Sequence, residues 1–351
     1  GVASVIAPTY IAEVSPAHIR GRLGSMQQLA IVLGIFAALL SDAWLAGVAG
    51  GAAEPLWFGL AAWRWMFLVA TLPALVYGTL VLGVPESPRH LVAKGRLDEA
   101  RVVLRNVLNM HNEAALDSKL RDIEDSLRSE HKPSLRDLCG KTAGLLPVVW
   151  IGILLSVFQQ FVGINVIFYY SSTLWHSVGF SEADSFTITV VTSIVNVLVT
   201  LVAIALVDKI GRKPLLVVGS AGMAITLGLM AWCFSQATGS GATLSLPGAT
   251  GMVALVAANA YVVFFGVSWG PVVWVLLGEM FPNRIRATAL AVAAAAQWLA
   301  NFAITSTFPA LAELGLSFAY GLYAGFALLS LLFVLAGVRE TKGIELEDMR
   351  A

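Results

Sequence analysis

Apolar runs long enough to cross a bilayer recur along the whole chain, and the polar positions between them fall into two chemically different sets. A transmembrane helix needs about 20 largely apolar residues. Such stretches lie at roughly 27–50, 62–84, 144–176, 185–207, 214–236, 250–277, 287–309 and 316–338, with a stub at roughly 1–12. The pattern predicts an all-α membrane protein with nine spans, one of them cut short. Of the 22 Lys and Arg, all but Arg64 fall in alternate connections: Arg20 and Arg22, the 85–143 segment, Lys209 to Lys213, Arg284 and Arg286, and the tail after Val338. The opposite connections carry Asp42, Glu54, Glu182, Asp184 and Glu313. The positive-inside rule puts the basic set in the cytoplasm, hence a multi-pass protein of the inner (plasma) membrane with its linker and C-terminus cytoplasmic. A miscounted span would break this alternation.

The composition agrees with a bilayer environment: 58% of residues are hydrophobic and 13% charged, far from the balance of soluble domains. Only one connection is long. Residues 85–143 hold 11 basic and 10 acidic residues, a balance that excludes a nucleic-acid patch and favours a salt-bridged solvated face. Within it Leu97, Ala100, Leu104, Val107 and Leu108 form one helical stripe, and Leu116, Leu120, Ile123 and Leu127 another, with Gly95 and Pro133 as breakers. Two cysteines, Cys139 and Cys233, make no disulfide framework. No metal or cofactor site is expected, and no cavity cluster of titratable groups suggests an enzyme.

One octapeptide pattern, E-x-x-P-x-x-I-R, occurs twice, from Glu13 to Arg20 and from Glu279 to Arg286. Duplicated halves are the usual architecture of membrane transporters, which rock two bundles around a site between them. Six spans follow the linker, and the second octapeptide comes after the fourth of them. The first octapeptide comes two spans before the linker, so repetition predicts a six-plus-six arrangement with three helices preceding residue 1. The expected divisions are 1–84 (last three helices of the first bundle), 85–143 (amphipathic linker), 144–338 (second bundle) and 339–351 (cytoplasmic tail).

Amides inside spans face other helices or a wet cavity, because an unpaired polar group in hydrocarbon is costly. The densest cluster is Phe158-Gln-Gln-Phe-Val-Gly-Ile-Asn-Val-Ile-Phe-Tyr-Tyr170, where Gly163 permits an unwound segment between Gln159, Gln160 and Asn165. Gln297 and Asn301 share one helical face with Trp298 beside them. Amides supply both donors and acceptors, and aromatic rings supply flat walls, which together suit a neutral polyol. The alternative is that the amides only join helices. Pro271 predicts a kink beside Trp274 that gates a cavity or serves packing alone. Glu13, Arg20, Glu279 and Arg286, with Asp208 to Arg212 and Glu86 to Arg89, are expected to pair between bundles and lock one conformation.

With Pro85-Glu-Ser-Pro-Arg89, Gln159-Gln-Phe-Val-Gly-Ile-Asn165, Asp208-Lys-Ile-Gly-Arg-Lys213, Gly270-Pro-Val-Val-Trp274 and both octapeptides in view, the chain resembles sugar porters of the major facilitator superfamily. It looks most like bacterial xylose-proton symporters and glucose facilitators. The resemblance implies that Gln28, Gln159, Gln160, Asn165, Asn196, Trp274 and Gln297 contact sugar, with Tyr169, Tyr170 and Asn301 lining the cavity. It implies alternating-access transport of a neutral monosaccharide, with a proton as co-substrate and the lipid bilayer as surroundings. An uncoupled facilitator and a membrane sugar sensor are the alternatives. One departure is Arg339 where the family has a proline before Glu-Thr-Lys-Gly.

Overall fold

The computed structural model describes residues 6, 10, 11, 20–107, 112–129, 135–140, 144–177, 179–238, 245–282 and 285–341. Among them, eight helical stretches have the length and apolarity to cross a membrane: Met26–Ala49, Ala62–Val81, Pro147–Tyr169, Glu182–Val207, Arg212–Ser235, Thr250–Met280, Arg286–Leu314 and Leu316–Gly337. These match the eight full apolar runs. The ninth, the stub, lies mostly outside the described residues.

In chain order the first span is α1 (Arg20–Ala49), and the second is divided into α2 (Ala62–Val69) and α3 (Thr71–Val81). Asp42, assigned to a connection from its charge, stands inside α1, because the helix continues through Ala49. The linker forms α4 (Pro88–Ala93), α5 (Leu97–Val107) and α6 (Glu113–Ser129). Leu91, Val92, Ala100, Val103, Leu104, Leu116 and Leu120 close a small core of their own there. Leu97, expected on the apolar stripe, is exposed as the first residue of α5, and Val103 is inward. Arg101 bridges Glu113 at 2.9 Å and also pairs with Asp117. Such half-exposed pairs contribute about 0–1 kcal/mol each.

The remaining helices are α7 (Pro147–Phe161), α8 (Ile164–Tyr169), α9 (Ser171–Ser177), α10 (Glu182–Ile210), α11 (Arg212–Ser235), α12 (Thr250–Val267), α13 (Trp269–Met280), α14 (Arg286–Leu314) and α15 (Leu316–Gly337). Their buried side chains form one apolar core. Helix α11 packs on α12 and α15, α7 on α14, and α1 on α10, with a smaller contact from α1 to α13. Two further spans are discontinuous. The run predicted at 144–176 breaks between α7 and α8 and again at Tyr170, and the span Thr250–Met280 breaks at Ser268 (φ −128°, ψ −88°). Helix α13 ends with Phe281 in an extended conformation (φ −87°, ψ 130°), as a residue preceding proline requires.

Candidate functional site

The break in the α7–α8 span organises the polar residues. Gly163 adopts a left-handed conformation (φ 85°, ψ 19°), a region closed to most L side chains, so α7 stops and α8 restarts in a new direction. Gln159 and Gln160 occupy the last turn of α7 and Asn165 the first turn of α8. The Gln160 carboxamide oxygen accepts from Asn165 Nδ2 at 2.6 Å and from Asn301 Nδ2, on α14, at 3.0 Å. Gln159 Nε2 donates to Trp269 O at 2.8 Å and Gly270 O at 3.3 Å, tying α7 to α13. Gln28 Nε2 of α1 lies 3.6 Å from where a Gly270 Cβ would stand. Five elements, α1, α7, α8, α13 and α14, therefore converge on one set of amides.

What these amides leave unused defines the chemistry. Gln159 is 3% exposed and Gln297 7%, yet the Oε1 atom of each has no hydrogen-bond partner. A buried carboxamide oxygen without a donor forfeits about 1–3 kcal/mol, and a ligand hydroxyl removes that penalty. Gln160, its oxygen occupied twice, has an NH2 group to offer. Two acceptors and one donor group, held on helices rather than loops, match alternating hydroxyls of an uncharged polyol. The reading in which amides join helices is also correct in part: the nitrogen of Gln159 and the oxygen of Gln160 do that work.

The other predicted residues distribute around this centre. Tyr170 donates from its hydroxyl to Thr305 O at 3.1 Å and packs its ring against Phe308. Tyr169 is largely exposed with its phenol towards Asn301. Asn196 of α10 is buried beside Gly266, its Oδ1 3.2 Å from where a Cβ on that glycine would stand. Trp274 is half-buried against the core. Trp298, one residue from Gln297, is 46% exposed, so the indole does not share the amide's buried position. The kink expected at Pro271 is present: the helix breaks at Ser268, in the turn before the proline, where Pro271 offers no N–H to the Val267 carbonyl and its ring crowds that group.

Two of the charged corners meet at the start of α11. Arg212 and Glu279 form a bidentate pair, Nε to Oε2 at 3.1 Å and Nη2 to Oε1 at 2.7 Å, joining the start of α11 to the end of α13. Thr341 Oγ1 donates to Glu279 Oε2 at 2.6 Å, and the Glu340 carboxylate accepts from the backbone N–H groups of Arg212 and Lys213, both at 3.0 Å. An anion at a helix N-terminus meets unpaired N–H groups and the positive end of the dipole. These contacts tie the start of α11, the end of α13 and the tail to one another. Arg286 Nε donates to Phe281 O at 3.2 Å. Arg89 is in α4 and Glu86 is exposed just before it. Glu13 lies outside the described residues, and Arg20 and Asp208 are described in backbone only. Thr341, Trp269 and Tyr261 were missed by sequence reasoning, as nothing in local pattern separates a hydroxyl or indole that bonds across helices from one that fills space.

The family model described as "Sugar (and other) transporter" matches residues 1–351. The chain belongs to the sugar transporter family. It is 58% identical over 351 residues to the glucose transport protein of Synechocystis sp., covering 99% of this chain and 74% of that protein. It is 39% identical over 358 residues to the D-xylose-proton symporter of Escherichia coli, covering 100% of this chain and 68% of the relative. Among solved structures it is similar to the major facilitator superfamily proton:xylose symporter XylE bound to 6-bromo-6-deoxy-D-glucose. That match has a TM-score of 0.79 at 39% identity, over 99% of this chain and 70% of the other. The fold is that of the major facilitator superfamily, and the chain is a membrane sugar transporter.

Proposed function

We propose that the chain moves a neutral pentose or hexose across the cytoplasmic membrane by alternating access, in symport with protons. The linker and C-terminus face the cytoplasm in this reading. The observation that carries it is the pair of buried, unpartnered oxygens on Gln159 and Gln297, set beside the doubly occupied Gln160 oxygen at the helix break. Sugar hydroxyls supply the donors those oxygens lack, and Asn196, Trp274, Tyr169 and Gln28 line the approach. The relatives named for glucose and for xylose with a proton set the substrate class and the coupling. Their shared class is a neutral monosaccharide, consistent with a centre built from amides.

Sugar binding tests the site. In calorimetry with glucose and xylose, Gln159→Ala and Gln297→Ala each lose one hydrogen bond to a buried hydroxyl, about 1–3 kcal/mol, or roughly 5- to 150-fold in affinity. Affinities within twofold of the parent for both variants contradict the assignment.

A further inference from the structure

Against the helix break stands a group of buried phenols that the sugar site does not use. Where α7 stops, the carbonyl of Val162 loses its ladder donor, since the Val166 N–H turns to Gly163 O at 3.1 Å. Val162 is fully buried, and an orphaned carbonyl there would favour closing the break into continuous helix. The hydroxyl of Tyr261, from α12, donates to that carbonyl at 2.8 Å. From α15 the Tyr323 ring lies flat on Gly163, 2.8 Å from where a Cβ would stand. Tyr320 packs edge-on to Tyr323, with ring centroids 6.0 Å apart. All three tyrosines are fully buried, but the hydroxyls of Tyr320 and Tyr323 have no hydrogen-bond partner.

We infer that Tyr261 is a positioning residue for sugar: its single hydrogen bond to Val162 O holds the break open and so fixes the angle between Gln159–Gln160 on α7 and Asn165 on α8. Tyr323 contributes its ring as a wedge and its hydroxyl contributes nothing. The inference rests on the sugar-site reading above. It assigns a substrate-affinity role to a hydroxyl bonded to the backbone, through a carbonyl that a continuous helix would have satisfied internally.

The neighbouring phenols provide the control. Tyr261→Phe and Tyr323→Phe each remove one buried hydroxyl from a fully buried ring, but only the first removes a hydrogen bond. Calorimetry with glucose and xylose, well below the unfolding temperature of each variant, is expected to show at least a fivefold loss of affinity for Tyr261→Phe. Tyr323→Phe stays within twofold of the parent. Spin labels at Tyr169 and Leu314 should give a broader distance distribution in Tyr261→Phe alone, a change that a general loss of stability does not produce in folded protein. Where Tyr261→Phe does not fold, 3-fluorotyrosine at position 261, a stronger donor of nearly the same shape, is expected to bind sugar at least as tightly as the parent. Affinity within twofold for Tyr261→Phe, an equal loss in Tyr323→Phe, or weaker binding with 3-fluorotyrosine overturns the inference. If Gln159→Ala and Gln297→Ala also leave affinity unchanged, the sugar-site reading falls with it; if those two weaken binding, only the role of Tyr261 falls.

Discussion

Replacing Glu279 with alanine is expected to destabilise the protein by about 3–5 kcal/mol, the penalty for leaving one member of a buried ion pair without its partner. The Arg212 side chain is only 8% exposed and Glu279 27%. Glu279 supplies both oxygens of the bidentate contact to the guanidinium, which also donates to the Val207 carbonyl at 3.2 Å. Thr341 loses its acceptor at the same time, while Glu340 still holds the tail at the start of α11. Heat unfolding in detergent reads the effect. Arg101→Ala in the linker serves as the reference, because its pairs are 37–57% exposed and are screened by solvent. Equal shifts in unfolding temperature for the two variants contradict the buried lock.

Gly163→Val should be nearly as severe and, unlike Glu279→Ala, should abolish sugar binding. Valine at φ 85° carries about 1–3 kcal/mol of backbone strain. Its side chain also meets the Tyr323 ring, 2.8 Å from the Cβ position, an overpacking penalty of about 1–3 kcal/mol more. The cheapest relief is to rotate α8, and that carries Asn165 away from Gln160. Gly315→Ala separates the two causes: Gly315 has φ 129° with nothing within 4 Å of its Cβ position, so it adds strain without touching the site. Calorimetry is expected to find no binding in Gly163→Val and parental affinity in Gly315→Ala. Loss of binding in both, or in neither, contradicts the role given to the break.

Hydropathy made the spans legible because each is a run of roughly constant polarity, and burial in lipid depends on little else. The broken helix at Gly163 was legible as well, since a glycine flanked by amides at membrane depth has few other uses. The errors came where three-dimensional pairing decides. Pro271 is not among them: it reads as a kink in the sequence, and the helix breaks at Ser268, in the turn that a proline at 271 disrupts. Arg212 and Glu279 were named among the charges expected to pair, but not as partners of each other. Their true relation depends on Gly211, whose φ of 105° turns the chain, and on Glu340 filling the helix terminus 2.7 Å from where a Cβ on that glycine would stand. Trp269, which donates to Ser220 at 2.9 Å, looks in sequence like any aromatic in a span.

The claim beneath all of this is that the amide centre carries sugar across a membrane on a proton gradient. Reconstitution in liposomes, acid outside, with labelled glucose and xylose tests it most directly. The account predicts accumulation above the external concentration, lost on adding a protonophore and absent in Gln159→Ala. Uptake no greater than in empty liposomes, by protein that binds either sugar in calorimetry, would contradict it.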